Sequence, residues 1–187
     1  MEIRFKDIGP ESLKTDLLVV PVSEKRLEET SIRALDRRLK GKLQERIQKS
    51  KFAGTEGASL LYSTAGVLPA ANLLLIGLGK ASEVDAEVWR RSGARARREA
   101  TALGLEDRGF FFSPERDPTG AAAAIVEGAL LASYQFTKYR SNAKNPLEVK
   151  TLTLHKPGLS RSSGMDQAVR ITEQTVGAVF LARDLIN

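Results

Sequence analysis

Cysteine is missing from all 187 residues of the chain, and histidine occurs once. The first absence excludes a disulfide framework, a thiolate metal site and a cysteine nucleophile, and it is the usage expected in a reducing compartment. The second leaves His155 with no other histidine and no carboxylate at ligand spacing, so neither a histidine metal cluster nor a Ser-His-Asp set can be assembled around it. Placed at a strand end beside Lys156 and Pro157, His155 is expected to cap or to lie on the surface. No apolar run approaches the roughly 18 residues a membrane span needs. The N-terminal stretch MEIRFKDIGPES alternates charged and apolar residues and lacks the apolar core of a signal peptide. No membrane partner is therefore expected, and the location expected is cytoplasmic. Internal repeats and low-complexity linkers are also lacking.

What is present is globular in composition: 42% hydrophobic and 28% charged, enough chain for one ordinary domain with a real core. The net charge of +6 is local. Between Ser31 and Lys51 stand eight bases (Arg33, Arg37, Arg38, Lys40, Lys42, Arg46, Lys49, Lys51) and two acids (Asp36, Glu45), while the rest of the chain sums to zero. Such a cluster can attract nucleic acid, an anionic membrane or an acidic partner. Arg33, Arg37, Arg38, Lys40, Lys42 and Lys49 make up the candidate nucleic-acid surface. Ile32, Leu35, Leu39, Leu43 and Ile47 recur at helical spacing through the same stretch and predict one amphipathic helix over 31–51. The bases flank that stripe on both sides with no interleaved aromatics, the pattern of a solvated face more than of a phosphate-tracking one. Nucleic acid is thus not the favoured partner.

Continuous apolar runs mark the strands. DLLVVPV (Asp16 to Val22) and LLLIGLGK (Leu73 to Lys80) suggest strands covered on both faces, Glu2 to Ile8 alternates as an edge strand, and Ala58 to Ser63 pairs with the second run around a turn at Gly66 to Asn72. Helices are expected over Val84 to Leu103, despite Gly93, and over the small, apolar Gly120 to Phe136. Gly109 to Ser113 and Glu148 to Leu154 read as strands, with a polar loop at Lys138 to Pro146 and a connection at Pro157 to Gly164. Strands alternating with helices in the second half call for parallel pairing, the early hairpin for a mixed edge, and together they predict a three-layer α/β fold with a mixed, mostly parallel sheet flanked by helices.

Chemistry is sparse. Ile76-Gly77-Leu78-Gly79-Lys80 at a strand exit invites a phosphate-binding reading, but a dinucleotide fingerprint needs glycine where Ser82 stands, and a Walker loop needs glycine at Leu74 and a hydroxyl at Ala81. Asp16, Asp85, Glu127 and Asp184 are scattered and form no acid/base pair. Glu127 falls inside the most apolar helix and needs a cationic partner, for which a base just beyond the helix, Lys138 or Arg140, is expected.

The final segment, Ser163 to Asn187, reads as a helix with two apolar stripes: Met165, Val169, Thr172, Val176, Val179 and Phe180 on one side, Ile171, Ala178, Ala182 and Leu185 on another. One stripe suffices for a surface helix, and leaving a Leu or Phe in water forgoes about 1.5–3 kcal/mol. The second stripe is expected to meet further protein.

LLLIGLGK with the helix EVWRRSGARARREA, then EGALLASYQFTKYRS, then AVFLARDLIN resemble, in kind and order, the N-terminal domain of the leucyl aminopeptidases. The likeness runs from about Asp16 to Asn187. It implies a macro-domain-like fold at 1–162 with a structural, assembly or regulatory role, and an interdomain linker helix at 163–187 that packs through Phe180, Leu181, Leu185 and Ile186. It also implies a C-terminal catalytic domain beyond Asn187 as partner, a hexamer, and a parent enzyme that uses two divalent metals, zinc or manganese, to remove N-terminal amino acids from peptides. No catalytic, metal-binding or cofactor-binding residue carries over to this chain. Two other readings remain: a stand-alone macro-like module holding an ADP-ribose type nucleotide at Gly77 to Lys80, and a DNA-binding domain using helix 31–51.

Overall fold

The computed structural model describes residues 1–27, 29–112, 117–134, 150–155 and 163–186. Along the chain they form β1 (Glu2–Lys6), β2 (Thr15–Ser23), α1 (Thr30–Arg38), α2 (Lys42–Ser50), β3 (Ser59–Ser63), β4 (Ala70–Gly79), α3 (Ala86–Ala102), β5 (Asp107–Phe111), α4 (Pro118–Leu131), β6 (Thr151–His155) and α5 (Ser163–Ile186). The six strands lie in the order β1-β6-β5-β2-β4-β3. All neighbours run parallel except the β3–β4 hairpin at one edge. This is the three-layer, mostly parallel α/β architecture the sequence calls for.

The two continuous apolar runs occupy the middle of the sheet because only there are both faces covered. Along β2, Leu17 and Val19 join one core with β5, β6, α3, α4 and α5, while Leu18, Val20 and Val22 join a second with α1 and α2. Alternate side chains thus feed opposite layers.

The helix predicted over 31–51 is two helices. Lys40 and Gly41 adopt left-handed backbone at φ 53° and 82° and turn the chain between α1 and α2. Asp36 on α1 accepts a hydrogen bond from the Gln44 N–H at 3.0 Å and so caps the start of α2. Ile32, Leu35, Leu39, Leu43 and Ile47 are nevertheless all buried, since the break preserves which side faces the sheet.

Gly93 has a packing reason. A Cβ there would collide with the Ile125 carbonyl oxygen, and one at Gly128 with that of Arg90, so α3 and α4 cross with their backbones in contact. Helix α4 begins where Asp117 accepts from the Gly120 N–H at 2.9 Å, with Pro118 in its first turn. The expected loop at Lys138 to Pro146, and the connection from Pro157 up to residue 162, lie outside the described residues.

Candidate functional site

Each of the four carboxylates near apolar segments is engaged in holding the fold. Asp16 Oδ2 accepts from the N–H groups of Glu106 and Asp107 at 3.3 and 3.0 Å, fixing the approach to β5 beside β2. Asp85 caps α3 by accepting from Val88 N–H at 2.9 Å. Glu127 accepts from Arg90 Nε at 2.9 Å, across the α3–α4 contact. Arg140 and Lys138, the partners expected from the sequence, lie outside the described residues; the cation found is on a different helix. Arg90 also pairs with Glu87, and the Glu127 bond foremost raises its pKa above the ordinary value. Asp184 Oδ1 accepts from the Tyr134 hydroxyl at 3.0 Å. Among the described residues no three His, Cys, Asp or Glu side chains come together as a metal would require.

The Gly77 to Lys80 exit is occupied by its own chain. Gly77 N–H donates to Ala58 O at 2.8 Å and Gly79 N–H to Gly54 O at 2.9 Å, so both glycine donors that would cradle a phosphate are already committed. A Cβ at Gly77 would strike the Thr55 carbonyl oxygen, and Gly79 sits at φ +77°. Both glycines serve the close crossing of the 54–57 loop over β2 and β4. Lys80 Nζ pairs with Glu83 at 3.0 Å. Nothing in this geometry favours a nucleotide.

His155 is not on the surface: it is fully buried. The chain after β1 folds over the end of β6, bringing the Ile8 carbonyl oxygen to 3.2 Å from His155 Nδ1 and the ring against Phe111, centroids 5.5 Å apart. A carbonyl only accepts, so Nδ1 carries the proton, and Nε2 is a buried acceptor with no hydrogen-bond partner among the described residues. Burial pushes the imidazole pKa down to about 4, against the opposing pull of the Ile8 bond.

Helix α5 shows both stripes, on opposite sides at about 100° per residue. Met165, Val169 and Val176 are buried against the α3–α4 core. Ile171, Leu181, Leu185 and Ile186 are 53, 62, 79 and 85% exposed, and Ala178 and Ala182 are exposed beside them. Of the four residues expected at a domain interface, Leu181, Leu185 and Ile186 therefore face outward together. Phe180 does not: it is half-buried and packs on Tyr134, centroids 5.1 Å apart. Arg183 lies over the same ring at 5.2 Å. With the Asp184 bond, three residues of the end of α5 converge on Tyr134, just past α4. No sequence signal pointed to that residue.

The six candidate nucleic-acid residues, Arg33, Arg37, Arg38, Lys40, Lys42 and Lys49, are all exposed. They are split between α1, α2 and the turn joining them, and Lys49 pairs with Glu45 at 2.6 Å.

These features define a three-layer α/β module whose last helix turns an apolar side to solvent. The matching family is more particular: the N-terminal domain of the cytosol aminopeptidase family, matched over residues 19–143, and the chain belongs to that family. A probable cytosol aminopeptidase of Syntrophotalea carbinolica is 34% identical over 94% of this chain and 36% of its own length. One from Roseiflexus castenholzii is 37% identical over 95% of this chain and 35% of its own. In structure, a tomato leucine aminopeptidase mutant superposes over all of this chain and 38% of its own at a TM-score of 0.85, with 21% identity. A bottromycin maturation enzyme, BotP, solved in complex with Mn, gives a TM-score of 0.61 at 22% identity, over 92% of this chain and 32% of its own. The chain spans little more than a third of the length of the relatives it matches.

Proposed function

We propose that the chain is the non-catalytic N-terminal part of a larger cytoplasmic aminopeptidase, with a folded unit at 1–162 and a linker helix at 163–187. Its role is to seat the catalytic part and to take part in assembly, the hexamer included. The observation that carries this reading is the outward stripe of Ile171, Leu181, Leu185 and Ile186 on α5. Exposed apolar residues grouped on one helix face mark an interaction site, and about two-thirds of each matched relative lies outside the matched stretch. A two-metal site of zinc or manganese belongs, in this reading, to the remainder of the enzyme. The described donor groups here do not converge on a metal, so no catalytic step is assigned to this chain.

The test is hydrolysis of an N-terminal leucine peptide with added manganese or zinc. Turnover is expected from the protein that carries the catalytic part and none from residues 1–187 alone. Metal-dependent turnover by 1–187 alone would overturn the reading.

A further inference from the structure

Arg108 is 1% exposed. It lies on β5 in register with Leu17 of β2 and Leu152 of β6, so its side chain enters the core shared with α3, α4 and α5. Its Nη2 donates to the Met1 thioether sulfur at 3.0 Å, while Nε and Nη1 are buried without a hydrogen-bond partner among the described residues. The nearby charge acting on it has the same sign: Arg97 of α3, itself 6% exposed. Burial foremost, and Arg97 after it, bring the Arg108 pKa down to about 9, which leaves the guanidinium charged at neutral pH. A buried cation is ordinarily matched by an anion and by acceptors for each N–H. A thioether is a weak acceptor and carries no charge.

We infer that Arg108 is a binding site for a small oxyanion of the orthophosphate class, with Met1 as its displaceable cover. Met1 precedes β1 and is 38% exposed, so its side chain can turn outward without breaking the β1–β6 ladder. Its departure frees Nη2 next to the unpartnered Nε, and these two N–H groups form the fork that two oxygens of one anion match. The glycine exit at 77–80 is less suited, because the Gly77 and Gly79 N–H groups are bonded and its lysine is paired.

Calorimetric titration of the whole protein with orthophosphate, at constant ionic strength held with chloride, tests the inference. One saturable event per chain is expected that Arg108→Met abolishes and Arg108→Lys, which keeps the charge but loses the fork, weakens by about ten-fold or more. Phosphate about five-fold above its dissociation constant should raise the unfolding midpoint of the wild type by about 2–4 °C over chloride. If Arg108→Met does not fold, the lysine variant decides. No saturable binding by the wild type, or equal affinity in Arg108→Lys, overturns the site.

Discussion

The Tyr134 hydroxyl donates to Asp184 Oδ1 across 3.0 Å, tying the end of α4 to the last turn of α5, whose neighbours Leu185 and Ile186 stand in solvent. The same ring packs on Phe180 and lies under Arg183. Tyr134 thus adds to the buried contacts of Met165, Val169 and Val176 in holding the outward stripe. Tyr134→Phe keeps the ring contacts and loses the hydrogen bond, which is worth about 0.5–1.5 kcal/mol. Amide hydrogen exchange at Phe180 to Ile186 should quicken up to about ten-fold while the β2 and β4 amides stay unchanged.

Two glycines set the distance between α3 and α4, and one in α5 does not. Gly93→Ala drives a methyl into the Ile125 carbonyl and should cost about 1–3 kcal/mol in urea unfolding, the usual range for overpacking. Gly177, in α5, has no atom of the described residues within 4 Å of the place a Cβ would take. Gly177→Ala should instead stabilise by about 0.5–1 kcal/mol, through helix propensity.

Acid should act through His155. Its folded pKa of about 4 lies below its ordinary value of 6.5. Between these values the unfolded chain takes up a proton that the folded one refuses, so stability is full above pH 6.5 and falls as pH drops toward 4. At pH 4.5 the loss from this group amounts to about 2–3 kcal/mol. His155→Asn, whose amide can still donate to Ile8, should flatten that part of the profile in denaturant titrations run at pH 7 and 4.5.

Leu181→Gln with Leu185→Gln alters side chains that are 62 and 79% exposed. In residues 1–187 the pair should change unfolding stability by no more than about 0.5 kcal/mol. In the protein carrying the catalytic part it should lower stability or weaken assembly, read by thermal unfolding and by sedimentation.

The sheet was legible because DLLVVPV and LLLIGLGK are apolar without interruption, which only strands covered on both faces require. The two-sided character of α5 was legible for the same reason, since both stripes repeat at helical spacing. The break at Lys40–Gly41 was hidden because the apolar spacing from Ile32 to Ile47 runs on across it; nothing in that pattern reports a left-handed pair. The burial of His155 is not legible locally because it comes from Ile8, whose place over β6 follows from the pairing of the first strand with the last. The salt bridge of Glu127 was likewise non-local: Arg90 lies 37 residues away in sequence and reaches it only because Gly93 and Gly128 bring the two helices together. Buried Arg108 gave no sign at all, since an arginine beginning a short aromatic strand reads as an exposed end.

In the proposed function, the outward side of α5 is a seat for the rest of an aminopeptidase. Hydrogen exchange of Ile171 to Ile186, compared between residues 1–187 and the protein carrying the catalytic part, tests it most directly. Slowing of about ten-fold or more is expected across these amides in the longer protein, with the β2 and β4 amides little changed. Equal exchange of α5 in the two proteins would contradict it.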